Sequence, residues 1–345
     1  MRLIDVDPVN DRQGWLKRRR DGLGGSDVAK VLGISGFGSP WSVYVEKIGA
    51  VEPDALEPTD QQVRGRYLED GVLAWYADET GFTVGFKQAM IVHPEHEWAF
   101  CTVDGLVFEG PEPDDPAAAV KGVDAKTTSE WGWERVPVDY QAQAQWSMFV
   151  TGLPEWDLAV SHPGGFRIYT VEADPADQEA LFEGARRFWH DHVLAGVPPE
   201  VTDSDNRLLA EVWPRHEPGT EVEVDAGLVR ELVRVKAELK RLEKRQAELE
   251  AQLKAKLGDT QVGTVNGRKV ISWQAQSGGA RRFDEDSFRA ENPFMVHRFE
   301  KEKVVKYLDL EQLRKEEPDV FERYDRPVRV FRTHVKLEEL EGNDG

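Results

Sequence analysis

Cysteine is almost absent from this 345-residue chain, and the one copy, Cys101, excludes internal disulfides and thiolate metal clusters. Long apolar runs are missing as well. No stretch approaches the length needed to cross a bilayer, and the opening residues Met1, Arg2, Leu3, Ile4 and Asp5 lack the apolar centre of a signal peptide. A reducing, cytoplasmic setting with no membrane contact is expected. Basic charge is the third shortage: 44 Lys and Arg stand against 64 Asp and Glu, for a net charge of −20. A protein gripping a polyanion over its whole surface would show the opposite balance, so any such contact has to be local. Aromatic residues are not scarce. With 11 Trp and 15 Phe in a chain that is 40% hydrophobic, a sizeable core can be filled, and the length leaves room for two domains.

The positive charge that exists is clustered. Arg12, Lys17, Arg18, Arg19 and Arg20 fall in a stretch with no acid, ahead of a turn rich in glycine (Gly22, Gly24, Gly25). Ser26 then reads as the N-cap of a short helix carrying Val28, Ala29, Val31 and Leu32 and ended by Gly33. Free backbone N–H groups at a helix start, the Ser26 hydroxyl and one guanidinium could together hold a terminal phosphate. An ordinary capped helix beside a solvated basic stretch is the alternative.

Acids of interest come next. Residues 99–107 read as a strand, a turn at Gly105 and a return strand, a hairpin that would carry Asp104 to the side of the triplet Asp124, Ala125, Lys126. Side chains two apart in a strand share a face, so Asp124 and Lys126 emerge together. Two converging carboxylates suit a hard divalent cation, and Lys126 could hold a water or stabilise an attacked oxygen. A local charge pair on a solvated strand explains the same triplet. Glu69 sits in a helix predicted over residues 61–80, on a partly apolar face with Leu73 and Tyr76. In a further helix over 140–151, Tyr140, Gln143 and Ser147 share one face while Ala144, Met148 and Thr151 share another. His93 and His96 read as a Pro-containing turn before a strand rather than a metal site, and residues 110–121 as an exposed insertion.

Elsewhere, Ser39 and Pro40 open a helix running to Ile48, and strands over 156–160 and 166–171 flank a Gly-containing turn. Asp174 caps and Pro175 opens a helix that buries Leu181, Phe182, Ala185, Phe188 and Trp189. Alternating helices and strands imply an α/β domain over residues 1–200, followed by a linker over 201–224. Over residues 225–258, Leu228, Leu232, Val235, Leu239, Leu242, Gln246, Leu249 and Leu253 repeat at 4-3 spacing, the seam of a coiled coil with one polar position. The seam alone does not choose between a hairpin, another subunit and the core as its partner. A small α+β tail over 259–345 opens with a hairpin turning at Asn266 and Gly267. It then repeats itself after 25 residues: Asp284, Arg289, Glu291 and Pro293 return as Asp309, Arg314, Glu316 and Pro318, and Phe288 and Phe299 as Leu313 and Tyr324. Each copy reads as a capped helix ended by proline.

Five ordered blocks carry a resemblance. The run from Trp15 to Ser26, Arg66 to Glu69, Asp104 with Gly105, Asp124 to Lys126, and Tyr140 to Gly152 occur in the order seen in the YqaJ-type viral recombinases and lambda exonuclease, within the PD-(D/E)xK nucleases. The resemblance covers about residues 10–200 and implies a restriction-endonuclease-like core, a mixed central sheet flanked by helices. It further implies metal ligands at Glu69, Asp104 and Asp124, a catalytic lysine at Lys126 and support from Gln143, with Tyr140 nearby. Arg19 and Ser26 would receive a 5′-phosphate, with Trp15 beside the DNA end. Asp124 departs from the Glu usual in the nearest relatives by one methylene. The function implied is 5′-to-3′ digestion of double-stranded DNA with Mg2+, or Mn2+ in its place, leaving 3′ overhangs for recombination by annealing. Expected partners are duplex ends, a single-strand annealing protein and further copies of the chain in a ring of three. A single-strand exonuclease, an endonuclease and a silent DNA-end scaffold are the alternatives.

Overall fold

A computed structural model describes residues 1–4, 11–51, 59–273, 285–299 and 308–324. The chain forms two compact units, Met1–Pro214 and Arg215–Gly345.

The first unit is built on a five-stranded sheet. Its strands are β2 (Thr83–Gly85), β5 (Gly105–Phe108), β6 (Lys121–Thr127), β7 (Glu155–His162) and β8 (Gly165–Glu172), in the order β2-β5-β6-β7-β8. Only β6 and β7 run parallel, which makes the sheet mixed. A smaller antiparallel sheet joins β1 (Arg2–Ile4), β3 (Met90–Val92) and β4 (Phe100–Thr102) in the order β1-β3-β4. Around them stand α1 (Arg12–Arg20), α2 (Gly25–Val31), α3 (Pro40–Lys47), α4 (Asp60–Thr80), α5 (Val138–Thr151), α6 (Pro175–Phe188) and α7 (Asn206–Val212).

Strand alternation assigns the two faces of the larger sheet. Val107, Val123 and Ala159 pack against Val72, Leu73 and Tyr76 of α4. Leu106, Leu158 and Val160 turn the other way, into the main core with Trp146 and Met148 of α5 and Leu181 of α6. Gly122 permits the pairing of β6 with β7, since a Cβ there would come within 2.3 Å of the Trp156 ring. Trp146 also donates its indole N–H to the Phe100 carbonyl at 2.9 Å, tying α5 to the smaller sheet. The expected α/β core, a mixed central sheet with helices on both faces, is therefore present.

Capping residues act largely as their chemistry predicts. Ser39 caps α3, Thr59 caps α4 and Asp174 caps α6, while Gly81 and Gly152 end α4 and α5 in the left-handed conformation. Two expectations here need correction, and a third needs detail. Gly24, not Ser26, is the N-cap of α2, because the Asp27 carboxylate already accepts the Gly24 N–H at 3.0 Å and closes the box. Residues 99–107 are not a hairpin: β4 pairs with β3, and β5 pairs with β2 and β6, so Asp104 stands where the chain leaves one sheet for the other. The insertion over 110–121 is exposed at most positions yet anchored, with Pro116 buried and Glu112 accepting the Phe86 N–H at 2.8 Å.

The first unit runs to Pro214, so its end falls inside the segment expected as linker, 201–224. Leu208, Leu209 and Val212 of α7 pack on the main core, the Trp213 ring lies 6.1 Å from Trp41, and Ser39 donates to the buried Asp205 carboxylate at 2.5 Å. Apolar contacts hidden in a Pro- and Asp-rich stretch thus hold it to the domain.

In the second unit, α8 (Ala226–Leu257) occupies the segment with 4-3 spacing, capped by Asp225. Strands β9 (Val262–Val265) and β10 (Arg268–Ser272) form the hairpin, with Asn266 and Gly267 both at positive φ as an Asn-Gly turn requires. The repeat is a pair of helix pairs: α9 (Glu285–Glu291) and α10 (Pro293–Phe299), then α11 (Leu310–Glu316) and α12 (Pro318–Tyr324). Each proline opens a second helix instead of ending the first, since its fixed φ suits a first helical position. Asp309 caps α11, whereas Asp284 lies outside the described residues.

Candidate functional site

Strand β6 turns Ala125 toward α4 and sends Asp124 and Lys126 to the opposite face. Lys126 Nζ lies 3.1 Å from Asp124 Oδ2, donates to Gln143 Oε1 at 3.2 Å and stands 5.1 Å from the centre of the Tyr140 ring. Tyr140 and Gln143 are three apart on α5, so one helical face supplies both. Gly105 pairs with Val123, and one further step of that register sets Asp104 across from Asp124. The Ala125 N–H donates to Asp104 Oδ2 at 2.9 Å. Glu69 arrives from α4, and Gln88 links it in: the Gln88 amide donates to Glu69 Oε1 and, at 3.5 Å, to Asp104 Oδ1.

This cluster is short of positive charge. Burial, then the neighbouring Asp124 and also Glu69, push the Asp104 carboxyl up to about 8, against the pull of Lys126 and the Ala125 N–H. Burial foremost, with Asp70 and Asp124, raises Glu69 as well, although Gln88 and Lys126 oppose the shift. For Lys126 burial favours the neutral amine, but Asp124 and Asp104 outweigh it and hold the ammonium above its ordinary range. Asp124 Oδ2 is buried, and the Lys126 ammonium at 3.1 Å is its one close polar neighbour among the described residues.

Among the described residues, no three His, Cys, Asp or Glu side chains are already gathered at ligating distance. The Gln88 amide lies between two of the acids, where its N–H groups present partial positive charge. The donor set nevertheless fits a hard divalent cation: it offers carboxylate oxygens only, and the buried Asp124 Oδ2 has a single ammonium beside it.

Beside the acids opens a cleft of about 180 Å3 whose walls include Trp15, Arg19, Ser26, Gln88, Asp104 and Gln143. Five of the nine residues singled out in the sequence thus face one space, and Lys126, Asp124, Tyr140 and Glu69 connect to it through the contacts above. Ser26 is exposed within α2, and Trp15 is half-buried against Met90, Val92 and Phe100. Gly25 lets the loop approach α5, since a Cβ there would stand 3.0 Å from Gln143 Cγ. A second cleft, of about 280 Å3, lies beyond Tyr140 and is lined by Phe37, Gln61, Arg64, Thr127, Thr128 and Trp133 among others.

Arg19 is held from below. Its guanidinium reaches Asp27 Oδ1 at 3.4 Å and Glu46 at 3.9 Å, and lies 5.1 Å from the Trp15 ring centre. Lys47, fully buried, donates to Asp27 Oδ2 at 2.8 Å and to the Arg19 carbonyl at 2.9 Å. Burial works against the Asp27 charge, yet Lys47, Arg19 and Lys30 outweigh it and keep the carboxyl below its ordinary range.

Sequence reasoning missed Gln88, Asp27 and Lys47. For Asp27 a signal existed in its spacing three residues after Gly24, that of a box acid at a helix start. Gln88 carries none: it sits at φ 57°, near Phe86 at φ 48°, in a loop whose conformation no motif announces. His93 and His96 stack on one another, His93 also on Phe149 and His96 on Phe182.

Residues 14–154 match the family model described as the YqaJ-like viral recombinase domain. This part of the chain is similar to that family. A Bacillus subtilis (strain 168) relative, the uncharacterized protein YqaJ, is 26% identical over 300 residues, 84% of this chain and 91% of its own length. That likeness extends past the matched domain into the second unit. Among solved structures, an alkaline exonuclease from Laribacter hongkongensis is 19% identical with a TM-score of 0.42, over 58% of this chain and 100% of that one. A phage related exonuclease from Haemophilus somnus 129PT is 12% identical with a TM-score of 0.37, over 51% of this chain and 96% of that one.

Proposed function

We propose that the chain is a metal-dependent deoxyribonuclease that digests the 5′-ended strand of duplex DNA from its end and leaves a 3′ overhang for recombination by annealing. One observation carries this reading: Trp15, Arg19 and Ser26, fit to hold a terminal phosphate, line the same cleft as Asp104 and Gln143. A strand end seated on Arg19 and Ser26 would lay its first phosphodiester toward the acids. The similarity of residues 14–154 to the viral recombinase domain supports the substrate class, and the family resemblance supports the direction of digestion.

Glu69, Asp104 and Asp124 would hold Mg2+, or Mn2+ in its place, which supplies Lewis-acid stabilisation of the phosphate and a more acidic water. Lys126, kept charged by Asp124 and Asp104, would stabilise negative charge growing on the attacked phosphate. Gln143, already bonded to Lys126, would orient that ammonium and the attacking water. Arg19 makes a charge-assisted contact with the terminal phosphate, and Asp27 with Lys47 fixes its backbone and guanidinium.

The test is linear duplex carrying distinguishable labels on its two ends, incubated with Mg2+ and with wild-type or Lys126→Ala protein. Release of the 5′ label by the wild type, and retained binding without release by the variant, is the expected result. Release of the 3′ label first, cleavage of a closed circular duplex, or normal turnover by Lys126→Ala would overturn it.

A further inference from the structure

Among the described residues nothing covers most of the apolar seam of helix α8, although Leu232 near its start is half-buried. Leu228, Val235, Leu239, Leu242, Leu249 and Leu253 are between 42% and 68% exposed, a run of leucine that a lone helix in water does not retain without a partner. The helix spans 32 residues, roughly 48 Å at 1.5 Å per residue, enough for a stable two-helix seam.

We propose that α8 pairs with α8 of a second copy of this chain in antiparallel orientation. Charge complementarity selects both partner and direction. In an antiparallel pair each seam residue meets the one whose number completes a fixed sum. Matching Leu239 to Leu242 also matches Val235 to Gln246, Leu232 to Leu249 and Leu228 to Leu253, so the seam is complementary to itself with no overhang. The flanks then bring Glu238 against Arg245 of the second copy and Lys236 against Glu243, each contact occurring twice and none opposing like charges.

A parallel pair is worse. It would match Glu231 with Lys236 and Arg245 with Glu250, but would set Glu238 against Glu243 twice and stack Gln246 on Gln246. Sliding the antiparallel register by one heptad either way opposes Glu238 to Glu238 or Arg245 to Arg245. Arg245 and Glu238 now make only exposed pairs along their own helix, with Glu248 at 3.3 Å and Arg241 at 3.5 Å, which are readily exchanged. The pairing is independent of the hydrolytic reading.

Charge reversal separates the orientations by sign. Measured by static light scattering across a dilution series of the full chain, Glu238→Arg should weaken self-association about tenfold, and Glu238→Arg with Arg245→Glu should restore it. A parallel pair predicts the reverse for the first variant, because an Arg at 238 would relieve its contact with Glu243. Cysteine trapping gives a second measurement, since Cys101 is buried and contributes no background. Leu232→Cys and Leu249→Cys chains should each fail to cross-link alone and cross-link when mixed. Self-linking of either single variant, a monomer at about 50 μM, or a particle of three chains would overturn the proposal.

Discussion

Asp27 and Asp124 are each 1% exposed, in the same unit and close to the same cleft, yet their surroundings resolve the cost of burial in opposite ways. Asp27 is closed off by the chain itself: Lys47, Arg19 and the Gly24 N–H satisfy it, and its carboxyl sits below the ordinary range. Asp124 shares one ammonium, Lys126, with Asp104 and Glu69, three acids to a single buried cation. A buried carboxylate without full partnership is costly, and a fold retains that cost where something outside the chain relieves it. The Asp27 cluster is a foundation, whereas in the proposed function the acid cluster takes a cation.

Substitutions should separate the two clusters, most sharply at the reaction itself. Lys126→Ala is expected to lower cutting by about three orders of magnitude or more while leaving duplex binding in place, read as turnover against equilibrium binding. Asp27→Asn should destabilise the first unit by about 3 kcal/mol in urea unfolding, because it removes the nearest counter-charge of the fully buried Lys47 and leaves it Glu46 at 3.6 Å. Asp104→Asn should instead leave the metal-free chain as stable or more so, since it removes a like charge and keeps an acceptor for the Ala125 N–H. Equal losses from both substitutions would erase the contrast.

pH provides a gentler probe. Asp104 holds its proton more tightly in the folded chain, near 8, than at the ordinary 3.8, so between those values the folded state binds more protons than the unfolded state. Metal-free stability is therefore expected to fall as pH rises across that window and to level off above about 8. Asp27, shifted downward, contributes stability that is lost only as pH falls below the ordinary carboxylate value. Thermal melts of wild type and Asp104→Asn over pH 5 to 9 check the slope. The smallest expected effect is at the cleft's other end: Arg19→Ala should reduce any preference for 5′-phosphate over 5′-hydroxyl ends by about tenfold to a hundredfold, in competition digests. Lys47 keeps Asp27 paired in that variant.

Much of this arrangement is legible in residues close together along the chain. Alternation along β6 places Asp124 beside Lys126, helical spacing puts Tyr140 and Gln143 on one face, and Ser39, Thr59 and Asp174 cap where their chemistry suggests. What was misread depends on distant pairing. The run over 99–107 has the composition of a hairpin, but its two halves find better partners in different sheets. Residues 201–214 look like linker because proline and acids surround them, while Leu208, Leu209 and Val212 contribute to the core. Gln88 is a lone amide in a loop, and only the folded chain sets it between Glu69 and Asp104.

Titration of the metal-free full chain with Mn2+, followed by the loss of the free-ion paramagnetic resonance signal, tests the claim that these acids await a cation. Saturable binding that weakens as pH drops below about 8 and is largely lost in Asp104→Asn is the result predicted. Binding of equal strength in wild type and variant at every pH would contradict it.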